Sequence, residues 1–379
     1  MLAAGALALV VAAGAALTWR VAGPGPDAGA LRIDQLQYVG THNSYHQELS
    51  DREQAIARLA STDAGQLDYA FPPLPDQLRS GLRVFELDLY PDPSGGRYAD
   101  PLIRRLAGLG RLPGLDAPGT KVLHLVDADY RSSCATLVDC LGQLRAFDRE
   151  QPEHTPVFVL LEFKTSDARL VELGGVRSAP WDAAALDTVD TEISGVLGKA
   201  VITPDDVRRP GKTLEQSVLS GGWPTLRAAR GRTLFAMVNP PGPVRDAYLA
   251  GHADLAGRQV FTDAEPGQPD AAVLKRDDPT ADPGQIADLV RRGYLVRTRA
   301  DDGPADPARL AAARASGAQL VSTDHPDEVG AGDPAAAGGA AGPAGLVRCG
   351  PVSAPERCGA ALAAEDGRSA RALIDGPNR

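Results

Sequence analysis

The sequence predicts an α/β fold, a closed but distorted (β/α)8 barrel formed by one domain. Three features support this prediction. Eight short apolar runs resemble strands, helix-compatible segments separate several of them, and no linker-like stretch interrupts the middle of the 379 residues. The candidate strands are the run leading into Val39–His46, Val84–Leu89, Val122–Leu125, Val157–Lys164, Thr233–Asn239, Gln259–Asp263, Tyr294–Arg299 and Gln319–Asp324.

Helices are predicted between these strands from apolar spacing and from glycine stops. The predicted helices are Gln47–Leu67, Leu74–Arg79, Ala135–Arg149, Gln285–Arg292 and Pro307–Ser316. In the third of these, Leu137, Leu141 and Leu144 fall on one helical face. The last two each end before a glycine suited to a helix C-cap. The insert Thr165–Arg232 contains helical fragments and is expected at a lid or rim.

The two ends of the chain differ in composition from its middle. Residues 1–22 are predicted to be a signal peptide or a membrane anchor, because Leu2–Trp19 contains no charged residue. Both interpretations stay open, since a basic start is missing and no cleavage site is clear. Residues 23–30 are a predicted linker, residues 31–330 the catalytic barrel domain, and residues 331–379 a low-complexity segment with a disulfide-tied tail. We expect an extracytoplasmic protein, secreted or membrane-anchored.

The charge balance argues against a nucleic acid partner. The chain has 39 basic and 49 acidic residues, for a net charge of -10. A phosphate backbone would be repelled by such a chain, because nucleic acid binding depends on clustered positive charge.

The four cysteines fall into two local pairs. Cys134 and Cys140 are six positions apart, and Cys349 and Cys358 are nine apart. Two local disulfides are the simplest of three possible connectivities, and they fit an oxidising compartment. A zinc site is disfavoured, because neither spacing is the short zinc-knuckle type and no histidine lies near either pair.

Oxygen-bearing side chains at strand ends predict a metal site. Glu86 and Asp88 alternate along one strand and therefore share a face, and Glu162 ends another strand. Together with the amide oxygen of Asn43 they form an all-oxygen set with three negative charges. Such a set favours calcium over zinc, and four protein ligands fit calcium better than magnesium. The alternative is a structural salt-bridge network in which Lys164 and barrel arginines neutralise the carboxylates.

Two histidines beside these ligands predict acid-base catalysis. His42 follows the first strand and His124 lies in the third predicted strand, so both are expected at the barrel mouth. The other four histidines are interpreted as surface residues or as supporting groups behind the site; they are His46, His154, His252 and His325.

Cations near the same rim are candidates for phosphate binding. Lys164 shares a strand face with Glu162, and Arg297 and Arg299 alternate along the seventh predicted strand. A metal, two histidines and these cations suit phosphodiester cleavage, in which negative charge develops on phosphoryl oxygens.

The order of these motifs resembles the bacterial calcium-dependent phosphatidylinositol-specific phospholipases C. The matching segments are Gly-Thr-His42-Asn43-Ser-Tyr-His, Phe-Glu86-Leu-Asp88, His124 and Leu-Glu162-Phe-Lys164, and the similarity extends from Leu31 to at least Asp327. The resemblance implies a distorted TIM barrel of the phospholipase C-like phosphodiesterase type that acts on phospholipid at a membrane surface. We expect the protein to be a monomer.

The resemblance also implies a mechanism. Asn43, Glu86, Asp88 and Glu162 would hold Ca2+, while His42 and His124 transfer protons. The inositol 2-hydroxyl would attack phosphorus, releasing diacylglycerol and a cyclic inositol phosphate. We assign His42 to the attacking hydroxyl and His124 to the leaving group, although the sequence also allows the reverse.

Two other function classes stay open. Glycerophosphodiester phosphodiesterases and sphingomyelinase D-like enzymes share the barrel, a metal and two histidines. The glycerophosphodiester phosphodiesterases typically have the sequence His-Arg-Gly after the first strand, where this chain has His-Asn-Ser. A non-catalytic secreted lipid-binding barrel is the third interpretation.

Overall fold

The computed structural model describes residues 27–60, 65, 67–281, 283–330 and 346–363. The predicted leader, most of the predicted linker, the low-complexity segment and the last residues of the tail lie outside this part of the chain. Within the described ranges, no helix combines the length and the apolar character that crossing a membrane requires. The prediction of a signal peptide or anchor is therefore neither confirmed nor contradicted by these residues.

Eight parallel strands form the barrel. In the described residues the strands are β1 Leu36–Thr41, β2 Val84–Tyr90, β3 Lys121–Val122, β4 Val157–Phe163, β5 Val201–Ile202, β6 Thr233–Met237, β7 Val260–Thr262, β8 Val273–Lys275, β9 Leu295–Arg299, β10 Leu320–Thr323 and β11 Val347–Cys349. Parallel pairing runs from β1 through β2, β4 and β6 to β7, and from β8 through β9 and β10 back to β1. A parallel bridge between Asp263 and Val273 joins β7 to β8 and completes the ring. The predicted fold class is confirmed.

One predicted barrel strand was wrong and another was missed. The predicted strand Val122–Leu125 contributes only to β3, which is antiparallel to β2 and lies outside the ring. The physical reason is that β4 pairs with β2 along six residues, from Val84 opposite Phe158 to Leu89 opposite Phe163, and so occupies that edge. The missing ring member is β8, which has only three residues.

Helices surround the barrel. They are α1 Asp51–Ala60, α2 Leu74–Arg79, α3 Leu102–Leu106, α4 Leu137–Glu150, α5 Ala168–Glu172, α6 Ala183–Leu197, α7 Pro204–Val207, α8 Leu214–Leu219, α9 Leu226–Ala229, α10 Pro243–Leu249, α11 Pro283–Arg292, α12 Pro307–Ala315 and α13 Pro326–Gly330. Side-chain caps start several of them: Thr136 accepts from the N–H of Asp139 at α4, and Asp182 accepts from that of Ala185 at α6. The predicted helix Gln47–Leu67 begins only at Asp51, as α1.

The long insert serves both ends of the barrel. Trp181 donates from its indole N–H to the carbonyl of Lys164 at 2.9 Å, close to the carboxyl end of β4. Trp223 donates to the carbonyl of Gly293 at 2.8 Å, just before β9 and therefore at the opposite end. Only part of the insert is thus at the predicted rim.

Both predicted disulfides are present. Cys134 bonds to Cys140, which ties the segment after β3 to α4. Cys349 bonds to Cys358, and β11, which contains Cys349, pairs antiparallel with β1. The second disulfide therefore fastens the described part of the tail to the barrel.

Candidate active site

The close approach of β1 and β2 places His42 at the mouth. A Cβ atom on Gly40 would lie 1.6 Å from the carbonyl oxygen of Val84, so this contact requires glycine. The chain then turns at Asn43, whose φ of 47° is left-handed, and the N–H of His46 donates to the Asn43 carbonyl at 2.9 Å. The N–H of Ser44 donates to the Glu86 carbonyl at 3.0 Å, which holds the turn beside β2.

His42 lies between two carboxylates. Its Nδ1 is 3.0 Å from Asp324 Oδ1, and its Nε2 is 3.7 Å from Glu86 Oε1. An ionised carboxylate only accepts, so Nδ1 carries a proton and Nε2 is the atom that faces the mouth. Burial lowers the pKa of His42, but the Glu86 charge and the Asp324 hydrogen bond outweigh it and raise the pKa overall. Asp324 also pairs with Arg299 at 3.0 Å.

His124 has its own carboxylate partner. Its Nδ1 is 2.8 Å from Oδ2 of the buried Asp129, and Tyr90 donates its hydroxyl to the His124 carbonyl at 3.0 Å. Among the described residues, Nε2 of His124 makes no hydrogen bond. Each predicted acid-base histidine therefore has one nitrogen held by an aspartate and the other available.

Three carboxylates converge at the carboxyl ends of β2 and β4. Glu86 and Asp88 face the same way on β2, and strand register pairs Asp88 with Glu162. One oxygen from each of the three carboxylates lies within 4.8 Å of the others. Asn43 is buried beside them and donates its amide N–H to the Tyr69 hydroxyl at 3.3 Å.

Cations partly neutralise this cluster. Lys164 Nζ is 3.3 Å from Asp88 Oδ2 and 3.4 Å from Glu162 Oε1. Arg297 Nη2 is 2.7 Å from Glu86 Oε2, and the same guanidinium also contacts Asp277. The salt-bridge network weighed as the structural alternative is therefore formed in part.

The salt-bridge network leaves the Asp88 carboxylate without a hydrogen bond. Its side chain is only 1% exposed, yet neither carboxylate oxygen accepts a hydrogen bond among the described residues. Burial raises the pKa of Asp88 to about 6, although Lys164 opposes this. A buried carboxylate that accepts no hydrogen bond, and whose nearby cation Lys164 is shared with Glu162, is costly, and a further cation would offset that cost. The all-oxygen, anionic donor set fits calcium.

Comparison with known proteins decides the family. A model of the family described as phosphoinositide phospholipase C, Ca2+-dependent, matches residues 31–335. The chain belongs to this family. It is therefore an enzyme of the phospholipase C class, and the resemblance found in the sequence is confirmed. A search of curated proteins found no match.

A solved structure of a Ca2+-dependent phosphatidylinositol-specific phospholipase C shares the fold. The Ca2+-dependent phosphatidylinositol-specific phospholipase C from Streptomyces antibioticus is 22% identical, with a TM-score of 0.51, over 78% of this chain and 95% of that chain. An apo calcium-dependent phosphoinositol-specific phospholipase C from Pseudomonas sp. is 14% identical, with a TM-score of 0.48, over 78% and 91%. At such identities the first similarity shows the fold alone.

In this phospholipase C family member the predicted histidines, carboxylates and cations lie near one another, and their roles stay predictions. The two arginines differ in their surroundings: the Arg297 side chain is 2% exposed between Glu86 and Asp277, whereas that of Arg299 is 15% exposed beside Asp324. Binding of substrate phosphate by either arginine stays a prediction.

Two supporting residues of this enzyme, Asp129 and Asp277, were not predicted from the sequence, and a third, His46, was predicted only as a surface or supporting group. Asp129 holds His124, buried His46 lies behind it, and Asp277 contacts Arg297. Asp324, which holds His42, ends the eighth predicted strand and directly follows β10, a position that marks it as a residue of the rim. The other three lie in loops, where no periodicity marks them.

Proposed function

We propose that this enzyme cleaves phosphatidylinositol to diacylglycerol and a cyclic inositol phosphate in a calcium-dependent reaction. The observation that carries the proposal is the Asp88 carboxylate, which accepts no hydrogen bond, in a cluster of three carboxylates that is accompanied by two imidazoles, each with one available nitrogen. This arrangement provides a cation site and two proton-transfer groups at one barrel mouth. Family membership supports the phosphodiesterase class, and the residue roles are our proposal.

In the proposed mechanism the two histidines act on opposite sides of phosphorus. Nε2 of His42 accepts the proton of the inositol 2-hydroxyl while its oxygen forms a bond to phosphorus. The bond from phosphorus to the diacylglycerol oxygen breaks, and Nε2 of protonated His124 donates a proton to that oxygen. Asp324 and Asp129 hold the other ring nitrogens and stabilise the charged imidazolium forms.

The four oxygen ligands predicted for the metal are proposed to hold calcium; they are Asn43, Glu86, Asp88 and Glu162. When bound there, calcium would acidify the attacking hydroxyl and stabilise charge on the phosphoryl oxygen. Lys164 and Arg299 add positive charge beside the substrate phosphate, because both lie at the mouth with side chains 19% and 15% exposed.

Removing calcium tests this proposal. In excess chelator, release of inositol phosphate from phosphatidylinositol is expected to fall at least about tenfold, since three carboxylates would then repel the substrate phosphate. Added calcium should restore activity. Magnesium should restore much less, because it needs a stricter octahedron with fewer protein ligands.

The same assay separates the rival functions. Glycerophosphoinositol and sphingomyelin are offered in parallel, and preferential cleavage of either would favour the corresponding rival enzyme. Full activity on phosphatidylinositol in excess chelator would reject the metal assignment.

Exposed leucines at the barrel mouth are the proposed contact with the membrane. Leu59, Leu106 and Leu173 are 90%, 63% and 72% exposed, and they lie on or beside helices that follow β1, β2 and β4. Residues 97–111 add four arginines and one aspartate, which suits an anionic lipid surface.

Replacing two of these leucines should weaken action on membranes alone. A Leu106→Ser/Leu173→Ser variant is expected to cleave phosphatidylinositol in vesicles about tenfold more slowly, because each leucine loses roughly 1 kcal/mol of apolar burial. Cleavage of a water-soluble, short-chain phosphatidylinositol should stay unchanged. Leu219→Ser is the matched control, since Leu219 is 42% exposed and lies beside Gly293 at the opposite end of the barrel. An equal loss on both substrates would contradict the membrane role.

We further propose that the enzyme works outside the cytoplasm. The two disulfides support this location, because cytoplasmic thiols are usually kept reduced. A monomeric state stays a prediction.

A further inference from the structure

Two histidines share one carboxylate oxygen beside the proposed active site. Nε2 of His46 is 2.7 Å and Nδ1 of His124 is 2.8 Å from Oδ2 of Asp129. The side chains of His46 and Asp129 are both fully buried. His124, in contrast, is 18% exposed at the mouth. The three side chains thus connect the buried His46, through Asp129, to His124 at the mouth.

The contacts of His46 fix its orientation. Its Nδ1 is 2.8 Å from the Tyr69 carbonyl oxygen, and its ring stacks on that of Tyr69 with centroids 4.1 Å apart. Both ring nitrogens thus face oxygens, which fixes the ring in this orientation.

The backbone holds these groups in register. The loop containing His46 and the loop containing Asp129 are joined by hydrogen bonds from Ser133 N–H to the Tyr45 carbonyl at 2.8 Å and from Gln47 N–H to the Arg131 carbonyl at 3.2 Å. The Cys134–Cys140 disulfide follows directly. Because both loops are fixed, a contact from His46 to Asp129 is transmitted to the position of His124.

A metal ion shared by these three residues is disfavoured by the distances. Zinc bound at about 2.0–2.2 Å with a tetrahedral angle would separate its nitrogen and oxygen ligands by roughly 3.3 Å or more. The observed separations of 2.7 and 2.8 Å are those of charge-assisted hydrogen bonds.

We propose that His46 is a positioning residue that acts through Asp129 on His124. By holding Asp129, His46 keeps Nδ1 of His124 engaged and reserves its Nε2 for the leaving oxygen. The inference rests on the proposed function, because it needs His124 to protonate the leaving group. Its test must therefore report leaving-group protonation specifically.

Two substrates with different leaving groups provide that test. Phosphatidylinositol releases an alkoxide that needs a proton, whereas 4-nitrophenyl inositol phosphate releases a phenolate that is stable without one. In His46→Gln and Asp129→Asn, kcat on phosphatidylinositol is expected to fall about tenfold to a hundredfold, with KM within about twofold. With the nitrophenyl substrate, kcat of both variants should fall by less than about threefold, because the phenolate leaves without a proton. His124→Ala should show the same pattern with a larger loss.

A second buried histidine gives a matched control. His154 has the same contacts as His46, with Nδ1 2.7 Å from the Thr155 carbonyl and Nε2 2.9 Å from Asp148, but Asp148 has no second histidine. His154→Gln should lower the melting temperature comparably without changing the ratio of the two activities.

The outcomes are distinct. Equal losses on both substrates in folded His46→Gln and Asp129→Asn would overturn the positioning role, as would unchanged kcat on phosphatidylinositol. If His46→Gln does not fold, the isosteric Asp129→Asn decides alone. A wild-type enzyme inactive on both substrates would instead reject the proposed function.

Discussion

The His42→Ala variant is expected to cleave phosphatidylinositol at least about a hundredfold more slowly than the wild type, the usual scale of a lost acid or base. The reason is that Nε2 of His42 is the available basic nitrogen on the side of Glu86, while Asp324 holds Nδ1. His124→Ala should lose a similar factor through its leaving-group role. Initial rates at saturating substrate and calcium measure both effects.

A matched histidine outside the site serves as the control. His252 is partly buried, and its Nδ1 is 2.6 Å from the Ala256 carbonyl, in the segment before β7. His252→Ala should keep near-wild-type kcat. Near-wild-type rates for His42→Ala or His124→Ala would remove that histidine from the mechanism.

The strand-borne part of the site was predictable from the sequence because two geometric rules fix it. Alternation along a strand puts Glu86 and Asp88 on one face, and parallel strands of a barrel end at one rim. The observed register of Asp88 with Glu162 follows from these rules. The positions of the proposed metal ligands on β2 and β4 could thus be predicted without knowledge of distant contacts.

The loop-borne part was not predictable. His46 and Asp129 are 83 positions apart, and they meet only because two loops lie side by side. Arg297 meets Glu86 across 211 positions, so sequence patterns alone could not distinguish phosphate binding by Arg297 from an ion pair. Strand β8 was not predicted for a different reason: its three residues are too few to show a period.

The Asp88→Asn variant should separate calcium binding from stability. We expect its turnover at saturating substrate and low calcium to fall about a hundredfold, since one of three anionic ligands is lost. The calcium-free variant should nevertheless be more stable than the wild type at pH 8. The raised pKa of about 6, against an ordinary value of 3.8, means that ionised Asp88 destabilises the folded state.

The raised pKa of Asp88 sets the sign of the pH dependence of stability. Below about pH 4 Asp88 is protonated in both states and contributes no penalty; the penalty grows as pH rises toward 6 and is complete above it. The Asp88→Asn substitution removes this penalty. Without calcium, the free energy of unfolding of the variant should therefore exceed that of the wild type by on the order of 2 kcal/mol at pH 8 and differ little from it at pH 4. Urea denaturation with and without calcium measures both effects.

Asp263 serves as a control, because it is a buried aspartate outside the proposed metal site. Burial also raises its pKa to about 6, but it lies beyond β7, outside the Glu86, Asp88 and Glu162 cluster. Asp263→Asn should therefore share the pH-dependent gain while keeping the extra stability that calcium gives the wild type, which Asp88→Asn should lose. If calcium stabilised Asp88→Asn as strongly as the wild type, Asp88 would not be a ligand, and its unsatisfied oxygens would need another cation.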